Sequence, residues 1–214
     1  MTAESTACLT HCQGYARLLT SLGRQSDKRA AIEASVLEAT EALLGEGASF
    51  AELNIERIAT RAGISRTAFY FYFRDKRELL MRLTSEVNEQ LMAAAEAWWS
   101  GDADLGAALA RIAELYREHD ALLRAVVEVS TYDEEVARYW RGLVGRFVDA
   151  TRERIEAEQA AGRAKPGPAG PMAFSLVWMV ERTFYEQRVQ DEPLDSAELV
   201  EAMAAIFTRS VYGA

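Results

Sequence analysis

The sequence predicts an all-α protein in two parts: a small N-terminal three-helix unit containing a helix-turn-helix, and a larger helical C-terminal unit. Three observations carry this reading. Only four of the 214 residues are proline, and three of those crowd into one stretch, "GRAKPGPAGP". The strong helix formers Ala, Glu, Leu and Arg are abundant throughout. No run of alternating Val, Ile and Thr bounded by hairpin turns occurs anywhere in the chain.

The elements follow in order. Residues 1–26 pattern weakly and are expected to form a partly ordered arm. Asp27 is placed to cap a helix from about Lys28 to Leu44, whose apolar face is Ile32, Val36, Leu37, Ala39, Leu43 and Leu44. "GEGASF" stops it. Asn54 caps a short helix through Ala62 with Ile55, Ile58 and Ala59 inward. Gly63 supplies a turn, and Ser65 caps a second short helix to about Tyr72. Asp75 and Glu78 open a long helix that ends near Trp99, before Ser100 and Gly101. Further helices are expected over about 103–118, 120–130, 133–161, 170–189 and 195–211, with "GRAKPGPAGP" the clearest loop.

Charge is distributed unevenly. The whole chain carries −9, but residues 57–82 hold seven cations against Asp75 and Glu78, a local +5. Residues 83–214 hold 13 cations against 23 acids, a net of −10. An acidic body with one basic patch is a footprint for a polyanion. The patch coincides with two short helices about a glycine turn, the geometry of a helix-turn-helix. Such a unit offers the N-terminal residues of its second helix to base edges in the DNA major groove. Here those residues are Ser65, Arg66, Thr67 and Ala68. Arg66 suits guanine, and Ala68 or the Thr67 methyl suits a thymine methyl. Hydroxyls of Ser65, Thr67, Tyr70 and Tyr72 suit phosphate oxygens, with Lys76 at the next helix start and Asn54 at the first helix's cap. Phe69 and Phe73, four apart, are expected to pack inward.

The stretch "LNIERIATRAGISRTAFYFYFRDKRELL" closely resembles the DNA-binding domain of the TetR family of bacterial transcriptional regulators. The shared pattern is A-x-x-A-G-[VI]-S, then an aromatic run F/Y-x-Y/H-F ending in K-x-x-L, and it extends over positions 28–82 without a gap. The "FYFYF" form and the C-terminal "ERTFYEQ…SVYG" further resemble a mycobacterial branch of that family. The resemblance implies a DNA-binding domain over 27–82 (helix-turn-helix about 54–73), an effector-binding and dimerisation domain over 83–214, and a homodimer on double-stranded operator DNA.

Three C-terminal helices carry broad apolar stripes. Two uses compete for them: a four-helix dimer interface built from the last two helices of each chain, and an apolar ligand pocket. By analogy with that branch, the pocket is expected around Leu143, Val144, Phe147, Thr151, Val177, Val180, Phe184 and Phe207, which points to a small hydrophobic or aromatic effector. Glu181 and Arg182 interrupt an apolar helix and read as a salt bridge to neighbouring helices or across the interface.

Other chemistry is set aside. "CLTHC" brings Cys8, His11 and Cys12 together, but no fourth metal ligand accompanies them, and they read as free thiols. No phosphate loop, nucleophile elbow or HExxH motif is present, so neither an enzyme nor a cofactor is expected. No apolar stretch approaches the ~18–20 residues of a membrane span. No basic start with an apolar core heads the chain, and two cysteines form no disulfide framework, so a cytoplasmic protein is expected. The alternative to a ligand-responsive repressor is a helical small-molecule carrier without specific DNA recognition; the local +5 patch favours the regulator.

Overall fold

A computed structural model describes residues 27–189 and 194–213; the expected N-terminal arm, with Cys8, His11 and Cys12, lies outside them. Nine helices and no strand occur among the described residues. The chain divides into two units, one holding Leu53–Asp75 with the chain up to Leu43, the other Leu44–Glu52 with Lys76–Ala214.

The first unit contains α1 (27–45, through Leu43), α2 (Ile55–Arg61) and α3 (Arg66–Phe69). Helix α1 buries Val36, Leu37, Ala39 and Leu43 at helical spacing. Thr40, fully buried, satisfies its hydroxyl by donating to the Val36 carbonyl at 2.8 Å. Ser35 Oγ donates to the Ala62 carbonyl at 3.2 Å, tying the end of α2 to α1. Ile58 and Ala59 of α2 and Phe69 and Phe73 complete the core, each at most 1 % exposed.

The second unit contains α4 (Lys76–Ser100), α5 (Leu105–Glu118), α6 (Asp120–Ser130), α7 (Glu134–Ala160), α8 (Ala169–Val189) and α9 (Ser196–Tyr212). Aspartates set three of the starts. Asp104, Asp133 and Asp195 sit in extended conformation and accept hydrogen bonds from the first-turn amides of α5, α7 and α9. Helix α7 packs along α8, and α4 against α5 and α7, while α9 lies on α5. Tyr139 Oη donates to the Met81 carbonyl at 2.6 Å, joining α7 to α4. Among the described residues no helix is long and apolar enough to cross a membrane.

Candidate nucleic-acid interface and internal cavity

The turn between α2 and α3 is built from one glycine. Gly63 adopts φ +72°, and the chain around it closes the end of α2 with Gly63 N–H on the Thr60 carbonyl (3.2 Å) and Ile64 N–H on the Ala59 carbonyl (2.9 Å). This paired closure of the last carbonyls needs a left-handed residue where Gly63 stands. Two residues later Ser65 accepts from the Ala68 N–H at 3.1 Å and starts α3. Asn54 does the same for α2, accepting from the Arg57 N–H at 2.8 Å.

Helix α3 is shorter than its sequence suggests. Its regular part ends at Phe69 rather than near Tyr72, and the chain continues as turns with Phe71 N–H on the Ala68 carbonyl and Tyr72 N–H on the Phe69 carbonyl. Packing sets this path. The Phe69 and Phe73 rings lie 5.4 Å apart inside the core, and Phe73 N–H bonds the Phe69 carbonyl at 3.0 Å. Successive bulky rings cannot all share that face, so the three between them are turned outward to different degrees. Phe71 is 74 % exposed and Tyr70 48 %, while Tyr72 is half-buried with the Arg29 guanidinium 5.7 Å from its ring centre.

Arg66 and Thr67 are exposed at the start of α3, and Ala68 is half-buried. Asn54 and Ser65 are exposed, each with its side-chain oxygen engaged as a cap. Lys76, in the second unit, is turned to its own fold: Nζ donates to the carbonyls of Phe50 (2.7 Å) and Ala51 (3.1 Å) and stands 4.9 Å from the Phe50 ring centre. Burial lowers its pKa. Phe71 was not singled out from sequence; its signal is the odd position between two inward rings, which leaves a large apolar group facing water.

The second unit holds an internal cavity of about 80 Å³ between α4, α5, α7, α8 and α9. Val144, Phe147, Thr151, Val177, Val180 and Phe207 line it. Leu143 is buried but not on this wall, and Phe184 faces a separate open groove of about 810 Å³ between α5, α8 and α9. The groove is the larger space, and its rim carries charges already engaged, such as the Arg117–Glu114 pair. The cavity wall combines aliphatic side chains with paired rings: Trp98 meets Phe207 edge-on at 5.1 Å and Trp99 meets Phe147 at 5.5 Å. Thr151 Oγ1 accepts from the Trp99 indole N–H at 3.2 Å, so this hydroxyl holds the wall in place.

Three polar groups of the wall escaped the sequence reading of the pocket. Asn88 (3 % exposed) has an Nδ2, and Glu181 (5 % exposed) both carboxylate oxygens, without a hydrogen-bond partner. Burial first, helped by Glu186, raises the Glu181 pKa against the opposing pull of Arg182. The Tyr116 hydroxyl is pushed up by burial and by Glu181. Within the chain, the cation beside Glu181 is Arg182 of the same helix rather than one of a neighbouring helix, and at 3.8 Å it is too far for a hydrogen bond. Asn88 sits four residues after the inward-facing Thr84, and Glu181 four after Val177, so their facing is legible at helical spacing.

The outer faces of α8 and α9 expose large apolar side chains. Phe174 is 58 % and Ile206 47 % exposed, and the Phe174 and Trp178 rings pair at 6.2 Å.

Comparison with known proteins gives consistent relationships. Residues 36–83 match the family described as "Bacterial regulatory proteins, tetR family", and residues 105–213 match "Transcriptional regulator EthR, C-terminal domain". The HTH-type transcriptional regulator EthR of Mycolicibacterium smegmatis is 34 % identical over 188 residues, covering 85 % of this chain and 86 % of that protein. EthR of Mycobacterium tuberculosis is 29 % identical over 189 residues, covering 85 % and 87 %. Among solved structures, the fold is similar to that of FadR from Bacillus subtilis in complex with stearoyl-CoA (TM-score 0.68, 16 % identity, 81 % of this chain and 96 % of that one). It is similarly close to a transcriptional regulator from Saccharomonospora viridis in complex with choline (TM-score 0.67, 16 % identity, 87 % and 98 %).

Proposed function

The chain belongs to the TetR family of bacterial transcriptional regulators, and from that premise we propose that it is a cytoplasmic homodimeric repressor released from its operator by a small, largely apolar effector. As a member of that family it is a DNA-binding regulator of repressor type and not an enzyme. The observation that carries the DNA-contact assignment is the pairing, within five residues, of the exposed Arg66 and Thr67 with the buried Phe69 that anchors them.

In this reading residues 27–82 bind DNA and residues 83–214 bind effector and partner. Arg66 donates to a guanine edge, Thr67 and Ala68 meet thymine methyls, and Tyr70 and Tyr72 donate to phosphate oxygens. Asn54 and Ser65 work mainly as caps that aim the helices, with Asn54 Nδ2 left to reach a phosphate. Lys76 adds positive charge while it fastens residues 50 and 51. Phe71 joins the set, its exposed ring offering apolar contact to a sugar or a base methyl. Half-sites of a dimer fall about one helical turn, ~34 Å, apart. Dimerisation through α8 and α9 covers Phe174 and Ile206.

The cavity of about 80 Å³ is well below the ~300–1,000 Å³ of a drug-sized site. An effector larger than a small ring therefore has to displace wall side chains, and that displacement is how its binding comes to favour a different arrangement. Release follows only from differential affinity, typically ~1–3 kcal/mol. The test is a screen of apolar and aromatic compounds for thermal stabilisation, followed by an operator-release assay on each hit, with Val177→Trp to fill the cavity. Hits that release DNA from the native protein but not from the filled variant support the reading. Stabilising hits that leave DNA affinity unchanged would replace it with a carrier.

A further inference from the structure

The wall of the internal cavity has a charge on it that the fold does not satisfy. Glu181 is 95 % removed from solvent, lines the cavity, and has neither carboxylate oxygen hydrogen-bonded. Its helix neighbour Arg182 lies 3.8 Å from one oxygen, is 49 % exposed at its side chain, and is shared with Glu186 (3.7 Å) and the Tyr185 ring (4.9 Å). That cation therefore half-compensates the carboxylate from the solvent side. Across the same cavity, on α4, Asn88 Nδ2 is a buried donor without an acceptor. Leaving such groups unmet is costly, and more so when they are charged. Both unmet groups line one cavity, and the rest of its lining is mostly aliphatic and aromatic.

We infer that the effector carries a protonated amine on a compact apolar or aromatic body, with Glu181 as counter-ion and Asn88 donating to an oxygen elsewhere on the molecule. This rests on the cavity being the effector site. An ammonium entering the cavity supplies the hydrogen-bond donors that both Glu181 oxygens lack, and the lining includes Trp98, Trp99 and Phe207, ring types that attract a cation. A carboxylate-bearing ligand meets the opposite situation, two acceptors of like charge in a dry site. Burial raises the pKa of Glu181, and a cation bound beside it would act in the opposite direction. The amine is thus selected by charge, whereas the apolar body is accepted by any cavity of this size.

The test uses the full chain and three probes that differ at one position: benzylamine, its neutral isostere ethylbenzene, and phenylacetate. Three of the four tryptophans, Trp98, Trp99 and Trp140, line the cavity, so intrinsic tryptophan fluorescence reports occupancy directly. Benzylamine is expected to bind roughly 10-fold or more tighter than ethylbenzene, and phenylacetate most weakly. In Glu181→Gln, which conserves volume, the amine preference is expected to collapse to within about 3-fold while ethylbenzene affinity holds. The unmutated protein alone decides the matter if that variant does not fold. Equal binding of amine and isostere, or tightest binding of phenylacetate, would overturn the assignment of Glu181 and leave the cavity as effector site. Binding that persists in Val177→Trp, or no binding of any probe, would overturn the cavity reading itself and this inference with it.

Discussion

Replacing Gly63 by alanine tests how the recognition turn is held. Gly63 stands at φ +72°, and a Cβ built there has no heavy atom within 4 Å. Steric collision with neighbours therefore contributes nothing, and the whole cost is that of putting an L-residue in left-handed backbone, ~1–2 kcal/mol. Alanine also reduces the freedom of the unfolded chain, which returns roughly 0.4–1 kcal/mol of stability. The expected net loss is about 1 kcal/mol, and Gly63→Asn, whose short amide tolerates this conformation, should lose about half as much. Urea unfolding followed by far-ultraviolet circular dichroism measures it. With a slope of ~1–3 kcal/mol per molar urea, the midpoint for alanine should fall by roughly 0.3–1 M. An alanine variant as stable as the parent, or an asparagine variant less stable than the alanine one, would refute the claim that the left-handed closure of α2 sets the turn.

Three further outcomes follow from the second unit. Thr151→Val removes the acceptor of the half-buried Trp99 N–H and should cost about 1 kcal/mol in thermal unfolding; no change would mean the indole finds another partner. Glu158 is nearly buried between Arg154 (3.0 Å) and Arg163 (2.7 Å), and the hydrogen bond from Arg163 leads in lowering its pKa from 4.5, against the opposing effect of burial. A lowered folded-state pKa gives stability that is complete above the unfolded value and is lost as pH falls through the folded one. Melting temperatures scanned from pH 7 to pH 3 should therefore decline below about pH 5, and less steeply in Glu158→Gln; identical slopes would remove Glu158 as a contributor. Glu replacing Phe174 and Ile206 together places charges on the exposed apolar faces of α8 and α9 and should give a monomer by light scattering. A dimer that persists would move the interface elsewhere.

Much of this architecture is legible along the chain, and the parts that are not have physical reasons. The bounds of α4 to α9 lie close to the sequence-based ones because aspartate caps and the Gly- and Pro-rich stretch between α7 and α8 punctuate them locally. The inward placement of Phe69 and Phe73 follows from their spacing of four. The early end of α3 does not, because the packing of those two rings overrides the helical preference of the residues between them. Pocket residues divide in the same way. Val144, Phe147 and Thr151 share one side of α7 and reach the cavity, whereas Leu143, one position before Val144, is equally buried but misses it. Burial is periodic and readable, but which buried residue meets empty space depends on how five helices converge. The absence of a hydrogen-bond partner for Glu181 is invisible for the same reason, since an adjacent arginine in the sequence suggests a pair that the helix geometry holds 3.8 Å apart.

The most direct test of the central claim is a fluorescence-anisotropy titration of the protein against the DNA immediately upstream of its own gene. Scrambled DNA is run alongside at two salt concentrations, with the native chain and with Arg66→Ala. The account predicts tight binding to the native fragment that persists as a preference at the higher salt, and a loss of roughly 1–3 kcal/mol in Arg66→Ala with the fold intact. Native-fragment binding that Arg66→Ala leaves unchanged would contradict the assignment of α3 as the reading element. Equal, weak and salt-sensitive binding of the native chain to both fragments would contradict recognition of this DNA and bring the carrier reading forward.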